Sequence, residues 1–139
     1  EEDGTYTDED TLKLMEYTSN CLKNEMSQYP YASWTTFRRR RIFAVQSIGN
    51  KLTLLSTSRM EVGKWCFVEI RSAIVPRDWE DRLYLNHLME LLMKLKVRLQ
   101  SSYKLTMLLI QQESGVSPVD AEDTIKAVNR SGQAIKELY

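Results

Sequence analysis

Residues 41–75, RIFAVQSIGNKLTLLSTSRMEVGKWCFVEIRSAIV, contain three short runs rich in β-branched, aromatic and leucine side chains. Polar and apolar residues alternate within these runs, which is typical of strands whose two faces have different surroundings. Gly49-Asn50 predicts a tight turn after the first run. We therefore predict a three-stranded antiparallel meander. Its strands are expected over about residues 41–48, 51–58 and 65–75.

A helical pattern precedes the meander. Apolar residues recur at steps of three or four over about residues 8–28, which predicts an amphipathic helix. Thr7 is followed by three acidic residues, a pattern typical of a helix start. Pro30 is expected to end the helix, because the residue before a proline disfavours helical geometry. The apolar face of this helix must be covered by the rest of the fold.

Two further helices are expected after the meander. Leucines alternate three and four positions apart over about residues 79–112, and Asp78 is placed to cap the start of this helix. Ser117-Pro118 predicts the start of a last helix over about residues 118–138. Residues 1–139 are therefore predicted to form a single α+β domain.

Composition limits the classes of function. The 139 residues include 19 basic and 19 acidic side chains, so the net charge is zero and a globally basic nucleic-acid coat is excluded. Hydrophobic residues make up 42%, which is enough for a modest core. No apolar run approaches the roughly 20 residues that a membrane-spanning helix needs. The acidic first residues do not resemble a secretory signal, so we expect an intracellular location.

The charges are unevenly distributed along the chain. Residues 1–28 hold eight acidic side chains against Lys13 and Lys23, whereas residues 37–59 hold six basic side chains and no acid. Opposite charges in neighbouring elements predict one of two arrangements. The two segments attract each other within the fold, or they present two faces to different partners.

The long helix carries more apolar surface than a three-stranded sheet and two helices are expected to cover. Such a patch is a liability unless another molecule packs on it. We therefore predict a non-catalytic protein–protein interaction or scaffolding domain of a larger intracellular assembly, with the nucleus as a candidate location. The partner is expected to be another protein or a second copy of the chain. The predicted partner-binding residues are Leu85, Leu88, Leu92, Leu95, Leu99 and Met107.

Four consecutive arginines support nucleic-acid binding as an alternative function. Arginines contact phosphates, and nearby aromatic side chains stack on bases. This alternative uses Trp34, Arg38, Arg39, Arg40, Arg41, Lys51 and Arg59. The same arginines also fit a nuclear import signal, or a solvated sheet edge whose charge discourages pairing with other chains.

Glu69 and Arg71 lie on the third predicted strand with one residue between them, and Glu25 precedes the strands. An acidic residue, a hairpin, a strand with Glu-x-Lys and a helix, in this order, characterise the restriction-endonuclease-like PD-(D/E)xK family. Residues 42–99 resemble degenerate, catalytically inactive members of that family, some of which are attached to fungal kinases.

The departures from the family pattern fall at the catalytic positions. Active members hold Mg²⁺ with an Asp on the middle strand and a Glu on the next, and a Lys positions the attacking water. Here the middle strand, residues 52–57, has no carboxylate, and Arg71 occupies the Lys position beside Glu69. The resemblance therefore implies an inactive nuclease-like scaffold.

Other enzyme signatures are missing from the sequence. His87 is the only histidine, and zinc-ligand spacing, a Gly-rich phosphate loop and the GxSxG motif are absent. We therefore expect no enzyme activity, no cofactor, no metal and no small-molecule substrate. Cys21 and Cys66 are expected to be structural thiols.

Overall fold

The computed structural model describes residues 3–61 and 63–138, with side chains described from residue 8 onward. The fold is α+β, as predicted, with a three-stranded antiparallel sheet between helical segments. Its elements are α1 (Asp3–Gln28), α2 (Trp34–Phe37), β1 (Ile42–Ile48), β2 (Lys51–Glu61), β3 (Lys64–Ile74), α3 (Leu85–Glu113) and α4 (Ile125–Glu137).

The sheet is a meander with β2 in the centre, which confirms the predicted strand order. Ile48 pairs with Lys51 across the first turn, where Gly49 has a φ of 58°. A positive φ at the first turn residue suits a two-residue hairpin and strongly favours glycine. β2 continues to Glu61, three residues beyond its predicted end, because its last residues still pair with β3.

The sheet is covered on both faces. On one face, Leu54 and Ala73 of the sheet pack with Leu91 of α3, and all three are buried. On the other face, Thr57 of β2 shares a buried hydrogen bond of 2.9 Å with Thr18 of α1. The sheet is thus the middle layer between α1 and α3, which explains how so small a sheet is stabilised.

A second hydrophobic cluster lies at the end of the sheet where β1 begins. Each of the four α-helices contributes to it, and its largest fully buried side chains are Leu22, Phe37, Leu109 and Ile125. The one-turn helix α2, which the sequence pattern did not predict, is therefore held by tertiary packing and not by its own length. Ser33 caps α2 by accepting a hydrogen bond from the Thr36 amide.

The predicted helix starts need correction. α1 begins at Asp3 and not at residue 8, and the capping side chain assigned to Thr7 lies outside the described side chains. α3 begins at Leu85 and not at residue 79. Asp78 is not its cap, because its carboxylate accepts hydrogen bonds from the amides of the next turn at 3.0 and 3.2 Å. That turn leads into a short 3₁₀ segment, Arg82–Tyr84, before α3 starts.

The last helix begins seven residues later than predicted, at Ile125 instead of residue 118. The amides of Ile125 and Lys126 donate to the carbonyls of Ala32 and Pro30, at 3.0 and 2.9 Å. These bonds hold the preceding segment against the loop before α2, and of that segment only Ala121–Asp123 forms a short 3₁₀ turn. Thr124 then caps α4 by accepting a hydrogen bond from the Ala127 amide.

Candidate interaction site

The outer side of α3 exposes a long, mainly apolar stripe. Leu92 is 46% exposed, Leu99 51% and Tyr103 68%. We define the α3 stripe as Leu85, Met89, Leu92, Leu99, Tyr103, Met107 and Ile110. Its members are three, four or seven positions apart, the spacing with which one helix packs on another, and they extend over about 38 Å. Nothing within the described part of the chain covers this stripe.

Two of the six predicted partner-binding residues do not belong to the stripe. Leu88 and Leu95 are half-buried and pack against the cluster of Leu54, Ala73 and Leu91 on the sheet. Both lie toward the sheet, and Leu95 also lines a surface groove with Leu92 and Leu99. Leu88 is therefore a core residue, whereas Leu95 contributes to both the core and the groove. The other four predicted residues, Leu85, Leu92, Leu99 and Met107, are exposed.

The middle of α3 is strongly basic, a feature that was not used in predicting the site. Residues 91–112 hold four basic side chains and no acid: Lys94, Lys96, Arg98 and Lys104. Lys96 interrupts the α3 stripe, and Lys104 lines its groove beside Leu99 and Tyr103. A count of charges along the leucine-rich helix would have shown this positive segment.

Arg40 is a structural residue, not an exposed nucleic-acid contact. Its guanidinium forms a two-point ion pair with Glu25 of α1, at 2.8 and 3.1 Å. Its Nη1 atom donates to the carbonyl and hydroxyl of Ser102 and to the hydroxyl of Thr106, at 3.0, 3.1 and 2.6 Å. Arg40 thus joins α1 to α3, and only 14% of its side chain is exposed.

Trp34 and Arg59 are also engaged inside the fold. Trp34 is 9% exposed, so it is not available to stack on a base. The guanidinium carbon of Arg59 lies 5.8 Å from the centroid of the Trp34 ring and 5.4 Å from that of Trp65. Burial between these rings lowers the pKa of Arg59 from its usual value.

The remaining basic residues do not form one patch either. Arg38, Arg39 and Arg41 are exposed beside the start of β1. Lys51 pairs with Ile48 at the other end of β1, about 20 Å away along the strand. The structure therefore does not bring the seven residues predicted for nucleic-acid binding together on one surface.

Arg39 and Arg41 instead face basic residues of α3 across a groove. This basic groove, about 640 Å³ in volume, lies between the start of β1 and the middle of α3. Its charged lining is Arg39, Arg41, Lys94 and Arg98, and its apolar lining is Phe43, Met93, Val97 and Leu105. The groove therefore combines positive charge with apolar surface. The two α3 residues of the charged set, Lys94 and Arg98, were not predicted as part of any site.

Glu69 and Arg71 do not form the adjacent pair that their spacing in the sequence suggested. Arg71 lies opposite Leu54 and Glu69 lies opposite the next residue, Leu55, because a β-bulge interrupts the register between them. The two side chains therefore lie on opposite faces of the sheet. Arg71 pairs with Glu90 of α3 at 2.5 Å, and Glu69 accepts a hydrogen bond from Ser72 at 2.7 Å.

The other candidate groups are isolated. Cys21 and Cys66 are free thiols and half-buried. His87 is exposed beside Tyr84. Among the described residues, no three metal-ligating side chains come together, and no helix has the length and hydropathy of a membrane span.

Comparisons of the chain with protein-family models, with curated proteins and with solved structures each found no match.

Proposed function

We propose that this chain is a non-catalytic interaction domain that binds an amphipathic helix of a partner protein along the α3 stripe. The observation that carries this proposal is the exposure of the stripe itself. Its residues keep helix-packing spacing over the length of α3, while the sheet-facing leucines of the same helix are buried or half-buried. A partner helix would bury this apolar surface as one helix packs on another.

Charge indicates the kind of partner. The middle of α3 has four positive charges and no negative charge, and Lys96 lies within the stripe. A second α3 packed on the first would bring these like charges together, which opposes association. A partner helix with acidic residues beside its apolar seam would neutralise them. We therefore favour an acidic partner over a second copy of α3.

A non-catalytic, intracellular role is part of the proposal. The nuclease-like resemblance implies an inactive scaffold, and Glu69 and Arg71 on opposite faces of the sheet do not place a metal ligand beside a water-positioning group. Free thiols at Cys21 and Cys66 suit a reducing compartment. Exposed Arg38, Arg39 and Arg41 remain candidates for a nuclear import signal.

The test uses a synthetic helical peptide of about 21 residues, with leucines along its seam and glutamates on both flanks. We expect micromolar binding by fluorescence anisotropy, and affinity about tenfold lower for a peptide that carries lysines in place of the glutamates. The variants Leu92→Asp and Leu99→Asp are expected to weaken binding about tenfold or more, because each places a charge in the apolar contact.

Tyr17→Asp is the matched control, since Tyr17 is an exposed aromatic residue on α1, away from the stripe. It should leave peptide binding unchanged. Failure of both peptides to bind would contradict the proposal. Concentration-dependent mass that Leu92→Asp abolishes would instead assign the stripe to a second copy and overturn the acidic partner.

Nucleic-acid binding is the second candidate, and the observation that favours it is the exposure of Arg39 and Arg41. If it is correct, Arg39→Ala/Arg41→Ala should weaken binding of labelled single-stranded RNA about tenfold and reduce the salt slope by about 1.4. Lys51→Ala is the control, because Lys51 lies at the other end of β1. Absence of salt-dependent binding at tens of micromolar, again by anisotropy, would remove this candidate.

A further inference from the structure

The basic groove has a charged rim that is not neutralised within the fold. Among the described residues, none of Arg39, Arg41, Lys94 and Arg98 forms an ion pair with a carboxylate. All four are exposed, and Met93 and Val97 beside them are each more than half exposed. A ligand that fits this groove needs negative charge around an apolar anchor.

The N-terminal half of α1 has these properties. Leu12 is 66% exposed. Asp8 and Glu9 lie four and three positions before Leu12, and Glu16 lies four positions after it. Helical spacing therefore places all three carboxylates next to the Leu12 side chain. Each of these acids is exposed, and only Glu9 has an ion-pair partner among the described residues, Lys13 of the same helix.

The groove and this acidic segment cannot meet within one molecule. Gln46, near the hairpin end of β1, donates a hydrogen bond of 2.9 Å to Thr11 and so fixes this part of α1 there. The groove lies at the other end of β1 and on the α3 side of the sheet. Within the described residues, Glu25–Arg40 is the one ion pair that joins α1 to the arginines.

We propose that the basic groove binds the acidic N-terminal half of α1 of a second copy, with Leu12 against Met93 and Val97 and with its carboxylates against the basic rim. The apolar lining argues for a peptide segment rather than a nucleic acid. The one aromatic side chain of the groove, Phe43, is half-buried and packs with the core, so it offers no open ring for base stacking.

The geometry of this contact determines the kind of assembly. The two complementary surfaces lie at opposite ends and on opposite faces of the sheet, so the contact is head-to-tail. A head-to-tail contact leaves one groove and one acidic segment open at the ends of each assembly. The mass should therefore keep rising with concentration and not stop at a dimer. This contact uses none of the residues of the α3 stripe.

Charge exchange tests the proposal in the full chain. We expect the sedimentation coefficient to rise between about 5 and 200 µM protein at low salt. The rise should disappear at about 500 mM salt, because the contact depends on exposed charges. Lys94→Glu/Arg98→Glu and Asp8→Lys/Glu16→Lys should each remain monomeric alone, and an equimolar mixture of the two variants should associate again.

Arg77→Glu/Arg130→Glu is the control for Lys94→Glu/Arg98→Glu, since it makes the same change in net charge at exposed positions outside the groove. It should associate like the unmodified chain. A chain that stays monomeric at low salt, or a mixture of variants that fails to associate, would overturn the proposal. The proposal would also be overturned if both charge-reversal variants still associate but Leu92→Asp does not. That result would assign the contact to the α3 stripe. Binding of labelled RNA that is lost in Lys94→Glu/Arg98→Glu but kept in Asp8→Lys/Glu16→Lys would overturn the proposal as well, and would identify nucleic acid as the ligand of the groove.

Discussion

Replacement of Arg40 by alanine is expected to lower the free energy of unfolding by about 3 kcal/mol, more than at any other residue of the arginine run. The guanidinium makes five hydrogen bonds, two to Glu25 of α1 and three to Ser102 and Thr106 of α3. Its loss leaves the Glu25 carboxylate, only 27% exposed, without its charge partner. Removing one partner of a buried ion pair costs more than the pair itself contributes.

Urea denaturation followed by circular dichroism measures this effect, and two matched variants sharpen it. Arg39→Ala removes a neighbouring exposed arginine and should change the free energy of unfolding by no more than about 0.5 kcal/mol. Arg40→Lys keeps the charge but loses the two-point geometry, so it should recover only a minor part of the loss. Equal stability of the Arg40→Ala and Arg39→Ala variants would show that the network contributes nothing. Because Arg40→Ala is expected to reduce the fraction of folded protein, a loss of ligand binding in this variant is not by itself evidence that Arg40 contacts the ligand.

The arginine run shows why the structural role of Arg40 could not be predicted from the sequence. Four identical side chains stand in a row, and no local pattern distinguishes Arg40 from Arg39. The difference arises from Ser102 and Thr106, which are 62 and 66 positions away in the chain. The same reason applies to Trp34 and Arg59, whose mutual packing depends on where β2 lies against α2.

The strands, in contrast, were predictable because their signals are local. Alternation of side chains and a glycine turn are features of neighbouring residues, and they predicted the meander correctly. The bulge at residue 70 was not predictable, and it separates Glu69 from Arg71. A shift of one residue in pairing changes which face a side chain occupies, and sequence spacing alone does not record it.

The leucines of α3 represent an intermediate case. Periodicity predicted a helix with a broad apolar surface, and α3 is such a helix. Two sets of apolar residues fit helix-packing spacing equally well, one with Leu88 and Leu95 and the other with Leu85, Leu92 and Leu99. Only the position of the sheet decides that the first set packs into the core and the second remains exposed.

Phe37→Ala should have the largest effect of any single substitution considered, a loss of about 4 kcal/mol in the free energy of unfolding. Phe37 is 1% exposed, and its cluster also contains Leu22 of α1, Leu109 of α3 and Ile125 of α4. Phe37 packs in one cluster with side chains of all three helices, so a cavity here should loosen all of them together. Against a typical domain stability of about 5–15 kcal/mol, the loss is large enough to populate unfolded chains.

Hydrogen exchange read by mass spectrometry distinguishes this loss from a local defect. We expect faster exchange in α4 and in the C-terminal end of α3, together with a lower urea midpoint for the whole chain. Phe37→Leu retains most of the buried volume and should cost only about 1 kcal/mol. A change confined to α2, with the exchange of α4 unaltered, would mean that contacts other than Phe37, such as the hydrogen bonds to the carbonyls of Ala32 and Pro30, are enough to hold α4. In that case the cluster around Phe37 would not couple the helices. The C-terminal end of α3, the helix that carries the α3 stripe and part of the basic groove, would then be held independently of α2.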